Sequence, residues 1–350
     1  MRRREVILGA IGASGAALNR KRIRIAFLGG GHGHGAAKVA LAQKSPDWEL
    51  AGICEPDPGL RARFERMGVP LLTRAQVLDD PSIAVIGVEG WVWELADSAK
   101  AALEAGKHIH LDKPPAANMA DMRAILDLAA RRKLLVQVGY MWRYNPAVNL
   151  ALEAARSGWL GEIFQVRGLI NTTIDAAERK KLARFRGGQM FELGGHLIDP
   201  IARLMGRPER VTPYLRHDHA AIDDGLADNT MAVFEWRSAI GTVATASMHH
   251  RQADGRGNAG ALPYRAFEFY GTNGAAVVRP IEPPVLHIDL ATAVGPYKAG
   301  PQSQSFTYSR YVDDFVELAA AVRGEQKLRV TAGEDLLVQE TLLRASGMEG

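Results

Sequence analysis

The stretch Ile23-Arg24-Ile25-Ala26-Phe27-Leu28-Gly29-Gly30-Gly31-His32-Gly33-His34-Gly35 joins an apolar run to a cluster of glycines. Five of the first six residues are apolar, which favours a strand buried on both faces of a parallel sheet. The next run, Ala36-Ala37-Lys38-Val39-Ala40-Leu41, favours a helix. A strand, a glycine turn and a helix in this order bring backbone N–H groups to a helix start, where a dinucleotide pyrophosphate can bind. The stretch therefore predicts the nucleotide-binding edge of a doubly wound sheet.

The spacing of these glycines departs from the common pattern, in which glycine occupies the first, third and sixth positions. Gly29 and Gly31 stand at the first two of these positions, whereas His34 stands at the last. Because glycine lets the backbone approach a phosphate closely, we expect the turn to contact the cofactor. The residues expected to do so are Gly29, Gly31, His32, Gly33 and His34.

An acidic residue follows the second predicted strand, Trp48–Cys54. A carboxylate about 20–25 residues after the glycines is expected to accept hydrogen bonds from the adenosine ribose hydroxyls. Glu55 and Asp57 are both candidates, and Glu55 is preferred because it follows the strand directly. No arginine comes immediately after it, which favours NAD over NADP as the cofactor.

Length and composition restrict the class of protein. The chain has 350 residues, enough for two domains with separate cores. Residues 1–22 carry a charge of +5, so the rest carries −1 and nothing indicates that the folded body binds nucleic acid. The single cysteine, Cys54, excludes an intramolecular disulfide and a cysteine-based zinc site. No apolar run reaches the ~18–20 residues that cross a bilayer, so no membrane partner is expected.

The N-terminus has the features of an export signal. Arg2-Arg3-Arg4-Glu5-Val6-Ile7-Leu8 precedes a weakly apolar run with small residues near Ser14-Gly15-Ala16. This pattern is similar to a twin-arginine signal, which slightly favours a periplasmic location. A disordered tail on a cytoplasmic protein is the alternative, and in either case residues 1–21 should lie outside the fold.

The remaining chain divides into two patterns. Strands and helices alternate from Ile23 to Tyr140, which predicts a Rossmann domain with a doubly wound parallel sheet over residues 22–143. After Tyr144-Asn145-Pro146 come one or two helices and then strands without helices between them, which predicts an α+β domain with a mixed or antiparallel sheet over residues 144–350. The predicted fold class is therefore α/β, with an α+β second domain.

Two segments carry residues suited to catalysis. Lys113 follows the predicted strand His108–Leu111, at the edge where ligands bind to parallel sheets, although a solvated loop lysine would have the same pattern. Glu192, His196 and Asp199 are spaced i, i+4 and i+7 and share one helix face. Carboxylates beside an imidazole orient it and raise its basicity, although such groups are also found as purely structural pairs.

Two consecutive glycines interrupt this second segment. Gly194 and Gly195 would weaken a helix, so they indicate a close neighbour that needs the space. A nicotinamide ring, a sugar ring or a tightly packed strand are the candidates.

Taken together, these motifs resemble the Gfo/Idh/MocA family of oxidoreductases. The glycine turn, Asp112-Lys113-Pro114, Trp142-Arg143-Tyr144-Asn145-Pro146 and the Glu-x-x-x-His-x-x-Asp helix occur in the family's order, across residues 22–346. The resemblance implies a nicotinamide-binding Rossmann domain and a second domain with an open sheet. It also implies that this sheet binds substrate and forms the contact of a homo-oligomer, a dimer or a tetramer.

The resemblance also implies roles for individual residues. His196 matches the family's general acid/base. Lys113 matches the family's catalytic lysine, which also contacts the cofactor. Glu192 matches a catalytic position that usually holds aspartate. Asp199, Arg143 and Tyr144 are expected to contact substrate. Two further departures are Asp112, where the family has glutamate, and Val88-Glu89-Gly90-Trp91, which stands where the family has Thr-Pro-Asn.

The resemblance predicts an NAD-dependent oxidoreductase that transfers hydride between the nicotinamide and a hydroxyl of a sugar, polyol or glycoside. A stacking face for a sugar ring is expected from one or two of the residues Trp91, Trp93, Trp142, Trp159 and Tyr144. One alternative is a glycoside-cleaving enzyme that retains NAD and uses transient oxidation. The other is a non-catalytic NAD-binding sensor, which would have no need of Lys113, Glu192 and His196.

Three histidine-rich segments carry weaker signals. His32-x-His34 and His217-Asp218-His219 have spacings found among metal ligands, but each lies in a predicted loop without a clear third partner, so no metal is expected. The histidines of Met248-His249-His250-Arg251, before a glycine-rich loop, would line the substrate cleft or belong to a surface loop.

Overall fold

The computed structural model describes residues 21–218, 222, 224–247 and 264–348. Residues 1–20 of the signal-like tail, His219 and the segment Met248-His249-His250-Arg251 therefore lie outside the described residues. In the ranges that are described, no helix is both long enough and apolar enough to pass through a bilayer.

The first domain contains a parallel sheet of five strands in the order β2-β1-β3-β4-β5. The strands are β1 (Ile23–Leu28), β2 (Trp48–Cys54), β3 (Val85–Val88), β4 (His108–Leu111) and β5 (Val136–Val138). The helices are α1 (Gly35–Lys44), α2 (Pro58–Arg66), α3 (Arg74–Asp79), α4 (Leu95–Glu104) and α5 (Met119–Arg132), with a 3₁₀ turn at Val92–Glu94. The predicted Rossmann sheet is confirmed, although β3 and β5 are shorter than their apolar runs.

The sequence prediction missed α3 but identified the start of α5. Thr73 and Gln76 form a reciprocal capping box at the start of α3, a signal that the sequence contains. The sequence predicts an N-cap at Asn118, with Asp121 three residues later, and this is confirmed because the Asn118 side chain accepts a hydrogen bond from the backbone N–H of Asp121 at 2.8 Å.

The strand order fixes where ligands can bind. The connection from β1 runs to β2 on one side and the connection from β3 runs to β4 on the other, which opens a crevice between β1 and β3 at the carboxyl ends of the strands. The glycine turn, Glu55, Glu89 and the Asp112-Lys113 pair follow β1, β2, β3 and β4 respectively. Four separate parts of the chain therefore meet at one edge of the sheet.

The second domain contains a mixed sheet of eight strands in the order β13-β12-β11-β10-β6-β9-β8-β7. The strands are β6 (Ile163–Thr172), β7 (Arg210–Arg216), β8 (Asn229–Glu235), β9 (Ile240–Ser247), β10 (Arg265–Gly271), β11 (Gly274–Arg279), β12 (Val285–Leu290) and β13 (Gly300–Ser305). Only β6 and β9 pair in parallel, so the mixed sheet is confirmed; β12 and β13 were not predicted.

Helices cover one face of this sheet and link it to the first domain. They are α6 (Pro146–Arg156), α7 (Ala176–Leu182), α8 (Gly188–Met205), α9 (Val312–Val322) and α10 (Ala332–Ala345). The central helix is α8, of whose eighteen residues fourteen are buried. Its inner surface packs against the sheet and α10.

The C-terminal part of the chain returns to the Rossmann domain through α9. Phe315 on α9 is fully buried and packs edge-on against Trp48 of β2, with ring centroids 5.9 Å apart. The sequence predicts this helix over Tyr308–Val322, but it begins at Val312, since Tyr311 before it adopts a left-handed backbone conformation with φ 68°. This turn brings Tyr311 over the glycine loop, with its ring centroid 5.4 Å from that of His34.

Candidate active site

The predicted catalytic residues Lys113 and Glu192 meet where the parallel sheet faces α8. The Lys113 ammonium donates to Glu192 Oε1 at 2.5 Å and to the Glu192 carbonyl at 2.9 Å, although the two residues are 79 positions apart. Burial opposes ionisation of Glu192, but the charges of Lys113 and His32 outweigh it and lower the pKa to about 2. The pair is therefore an ion pair at neutral pH.

The glycine loop is pressed against the end of β3. A Cβ atom on Gly29 would lie 2.4 Å from the Cα of Gly90, and Gly29 has a left-handed backbone with φ +76°. A Cβ on Gly31 would lie 2.6 Å from the Trp91 ring, whereas one on Gly33 would meet nothing within 4 Å. The turn therefore requires glycine on its inner side and leaves open space above Gly33.

The two loop histidines have different electrostatic surroundings. His32 Nδ1 lies 2.8 Å from Asp112 Oδ2, and its Nε2 lies 3.2 Å from Glu192 Oε1. Burial alone would lower the pKa of His32, but Asp112 and Glu192 raise it to about 9. Burial dominates at His34 and lowers its pKa to about 3, although His34 Nδ1 is 3.4 Å from Asp112. At neutral pH His32 is a cation and His34 is neutral.

Asp112 contacts both histidines and is the third potential metal ligand that the sequence analysis did not find. It also lies 3.2 Å from the ammonium of Lys38, which donates to Glu89 at 2.9 Å; Lys38, Glu89 and Asp112 have no exposed side-chain surface. Potential metal-ligand atoms of Asp112 and both histidines lie within 4.8 Å of one another. Because Lys38 and His32 already neutralise the carboxylate, we interpret the cluster as an ion-pair network.

His196 lies beside this network with an unused nitrogen. It is 1% exposed, and its Nδ1 atom has no hydrogen-bond partner within the part of the chain that the structure describes. The rings of Tyr140, Trp142 and His34 surround it, with centroids 5.8 to 6.0 Å away. Burial, followed by the charge of Lys113, holds the pKa of His196 well below its usual value. The imidazole is therefore neutral at pH 7, with an Nδ1 atom left free by the described residues and a lower basicity than an exposed histidine.

The paired glycines of α8 make room for protein side chains. A Cβ on Gly195 would lie 2.7 Å from Cε1 of Tyr140 and 3.3 Å from Leu342 of α10. A Cβ on Gly194 would meet the flexible side chain of Met190 on the same helix. The sequence predicts a cofactor ring, a sugar ring or a strand beside these glycines. The structure instead places Tyr140 and α10 beside Gly195.

Arg143, Tyr144 and Asp199, which are predicted to contact substrate, form hydrogen bonds that join separate elements of the protein. The Arg143 guanidinium donates to Asp199 at 2.9 Å and to Asp335 at 2.5 Å, which ties the segment after β5 to α8 and α10. Tyr144 donates to Glu317 of α9 at 2.5 Å. All three side chains are buried, and each is bonded to another side chain of the protein.

Two tryptophans of the segment after β3 contact the second domain. Trp91 and Trp93 stack with a centroid distance of 5.6 Å, and the cations of Lys181 and Arg184 each lie 4.0 Å from one of these rings. A narrow cleft with a volume of about 20 Å³ lies here, bounded by the glycine loop, these tryptophans, α7 and Glu192. Trp159 instead packs on Tyr297 in the second domain, at 5.5 Å.

Several site residues were missed by sequence reasoning. Tyr140 has a signal that was available, because it closely follows β5 at the carboxyl edge of the sheet. Lys38 follows His34 by four residues in α1, so its position beside the turn was also available from the sequence. Tyr311 before α9 and Lys181 on α7 have no such signal, because both are distant from the glycine turn in sequence.

Two family models match consecutive parts of the chain. Residues 23–140 match the model described as oxidoreductase family, NAD-binding Rossmann fold. Residues 148–277 match the GFO/IDH/MocA C-terminal domain. The chain belongs to the Gfo/Idh/MocA family of oxidoreductases.

Curated relatives within this family act on sugars according to their names. Levoglucosan dehydrogenase of Pseudarthrobacter phenanthrenivorans is 28% identical over 256 residues, which cover 64% of this chain and 63% of that protein. D-glucoside 3-dehydrogenase of Escherichia coli is 24% identical over 212 residues, covering 55% and 57% of the two chains. The alignments thus span less than two thirds of these relatives.

A solved structure supports the same fold over nearly the whole length. Levoglucosan dehydrogenase in complex with NADH and levoglucosan superposes with a TM-score of 0.73 at 20% identity, covering 93% of this chain and 98% of that one. At this identity the likeness establishes the fold alone.

The first domain of this Gfo/Idh/MocA protein has the features that NAD requires. Glu55 is 6% exposed, and its carboxylate accepts hydrogen bonds from the N–H groups of Gly30 at 2.6 Å and Asp57 at 2.8 Å. It therefore lies against the glycine loop, where a ribose hydroxyl can reach it. Asp57 instead caps α2 through the Leu60 N–H at 2.9 Å. The open side at Gly33 leaves room for the pyrophosphate.

We expect the two α8 glycines to respond differently to substitution. Gly194→Ala should keep stability unchanged or raise it by up to about 1 kcal/mol, because alanine favours the helix and Met190 can move. Gly195→Ala should lower the free energy of unfolding by about 1–3 kcal/mol, because the new methyl group displaces Tyr140. Denaturant unfolding of both variants checks this, and equal effects would contradict the packing described here.

Proposed function

We propose that this protein is an NAD-dependent dehydrogenase that oxidises a hydroxyl group of a carbohydrate. One observation carries the proposal: the ammonium of Lys113 and the unpartnered Nδ1 of His196 are both presented beside an NAD-binding sheet edge. Hydroxyl oxidation needs a group that holds the oxygen and another that removes its proton. The site contains one of each.

NAD bound at the glycine loop would supply the hydride acceptor. His196 is neutral at pH 7, so its free nitrogen takes the hydroxyl proton of the substrate. Lys113 donates a hydrogen bond to the same oxygen and stabilises its developing negative charge. Glu192 orients the ammonium through its 2.5 Å contact. These residues hold the oxygen and move the proton while the buried site excludes water.

The proposed substrate class rests on the relatives and on the polar groups near His196. The curated relatives are named for levoglucosan and glucosides. Tyr140 and Trp142 present a buried hydroxyl and an indole N–H that lack partners among the described residues. Polyhydroxylated substrates offer several groups that can satisfy such donors and acceptors. These same aromatic rings, rather than Trp159 or Tyr144, would contact a sugar ring.

The two alternative functions receive less support. The named relatives are dehydrogenases and reductases, which favours net hydride transfer over glycoside cleavage with retained NAD. A sensor would not need a proton acceptor and an ion-paired lysine at the sheet edge.

Replacement of Lys113 tests the catalytic assignment. Lys113→Met should lower kcat by a factor of about 100 or more, because the developing oxyanion loses its hydrogen-bond donor. The dissociation constant for NADH should change little. Lys100→Met removes a lysine from surface ion pairs with Asp97 and Asp121 and serves as the control. NADH formation with a panel of sugars and glycosides measures the effect, and turnover within a few-fold of wild type would exclude a catalytic Lys113.

Replacement of Glu55 tests the cofactor assignment. Glu55→Ala should raise the NADH dissociation constant about 10-fold or more, because a charged hydrogen-bond acceptor for the ribose is lost. Asp57→Asn keeps a capping side chain and should leave the affinity within about twofold. Fluorescence titration with NADH compares them. If only Asp57→Asn weakens binding, the ribose contact belongs to Asp57.

The proposed oligomer forms through the uncovered face of the second sheet. Tyr214 and Met231 are paired across β7 and β8 on this face, with 55% and 42% of their surface exposed. A second copy would bury them in an isologous contact. Met231→Glu should therefore reduce the mass seen by light scattering to that of the monomer, whereas Arg123→Glu on α5 should not. A monomeric wild-type protein would contradict the proposal.

A further inference from the structure

One imidazole connects the nucleotide loop to the catalytic helix. His32 belongs to the glycine loop of the first domain, whereas Glu192 belongs to α8 of the second. The ring spans them, with Nδ1 2.8 Å from Asp112 and Nε2 3.2 Å from Glu192. Both ring nitrogens of His32 therefore face carboxylates. A change in the loop is therefore transmitted directly to Glu192.

We propose that His32 is a positioning residue that couples dinucleotide binding on the glycine loop to sugar binding at Lys113 and Glu192. The inference rests on the proposed function, since it concerns the same site. It adds a thermodynamic property, namely that each ligand raises the affinity of the other through this side chain.

The coupling follows because the Glu192 carboxylate contacts two side chains, His32 and Lys113. Its Oε1 atom is contacted by His32 at 3.2 Å and by Lys113 at 2.5 Å. Without His32 the carboxylate has Lys113 as its remaining cationic partner, and the ammonium becomes less available to a substrate oxygen. A dinucleotide that orders the loop also orders His32, and thereby sets Glu192 and Lys113 for the sugar. Sugar binding then requires less ordering of the site.

The bridge depends on the charge state of His32. The ring lies close to two carboxylates, an arrangement that favours the imidazolium cation, whereas a neutral imidazole carries no charge and keeps only one N–H group. The groups that face the ring are Asp112 and Lys113 after β4, Glu192 on α8 and His34 in its own loop. Since the carboxylates raise the pKa of His32 to about 9, the double bridge is complete at neutral pH and is lost as pH rises through that value.

The matching experiment measures NADH affinity with and without sugar. NADH and a hydroxyl sugar are both reduced, so their ternary complex does not turn over. Levoglucosan and methyl glucoside are the probes, and fluorescence titration gives the NADH dissociation constant. In the wild type, saturating sugar should tighten NADH binding about fivefold or more. In His32→Gln the ratio should fall below about twofold, while NADH alone still binds.

A matched control separates coupling from general destabilisation. His108→Gln alters another Rossmann-domain histidine, which accepts from the Leu135 N–H at 2.9 Å and contacts neither Glu192 nor Asp112. Its NADH–sugar coupling should equal that of the wild type. Steady-state kinetics give a further readout: His32→Gln should raise the KM for the sugar by a larger factor than it lowers kcat. The reverse pattern would contradict a positioning role.

A pH series gives a second test that needs no variant. Wild-type coupling should be constant between about pH 7 and 8 and should fade as pH rises through about 9, because His32 then loses one N–H. His32→Gln should show no such step. If His32→Gln does not fold, as judged by circular dichroism, coupling that persists unchanged to pH 10 in the wild type overturns the inference.

The remaining outcomes distinguish the inference from the proposed function. A wild type that binds no NADH overturns both. A wild type that oxidises sugar while His32→Gln retains full coupling overturns the inference alone. Stoichiometric divalent metal in the purified wild type that is lost in His32→Gln also overturns it, because His32 would then be a ligand and not a bridge.

Discussion

The burial of Asp112 at the end of β4 is the constraint on which the site depends. A carboxylate without solvent contact costs several kcal/mol unless cations and hydrogen bonds surround it. Here Lys38 lies 3.2 Å from its Oδ1 and His32 2.8 Å from its Oδ2, and its own neighbour Lys113 donates a backbone N–H at 2.8 Å. The charges of His32 and Lys38 hold the pKa of Asp112 well below its usual value, although burial acts in the other direction. The glycine loop, α1 and Lys113 therefore all contact one carboxylate.

The family's Thr-Pro-Asn segment is replaced here by residues that support this network. Glu89 is buried below the loop and accepts from Lys38, while burial and the charge of Asp112 raise its pKa. Gly90 allows Gly29 to approach, and Trp91 covers Gly31 and contacts Lys181 of α7. The glycine loop is therefore supported on one side by the Lys38–Glu89 ion pair and on the other by the ring of Trp91.

Much of the fold could be predicted from the sequence because it depends on local patterns. Apolar runs identified β1 and β2 with their observed bounds, and the glycine turn and the Asn118 cap marked two helix starts. Strand β12 has alternating apolar and polar residues and could have been predicted, whereas β13 is the edge strand and consists mostly of polar residues. The i, i+4 spacing was enough to identify Glu192 and His196, since residues at this spacing share one face of a single helix.

The sequence by itself determined the two-domain order, the nucleotide-binding turn and the residues Lys113, Glu192 and His196, because each lies in a continuous pattern of strand, turn or helix. Tertiary structure alone decided which of them touch. The Lys113–Glu192 ion pair joins positions 79 apart, and Arg143 and Asp199 become structural partners only when α8 packs against α10. The bridging role of His32 likewise needs a loop, a strand end and a helix brought together. Such contacts arise from the packing of distant segments, which local spacing does not encode.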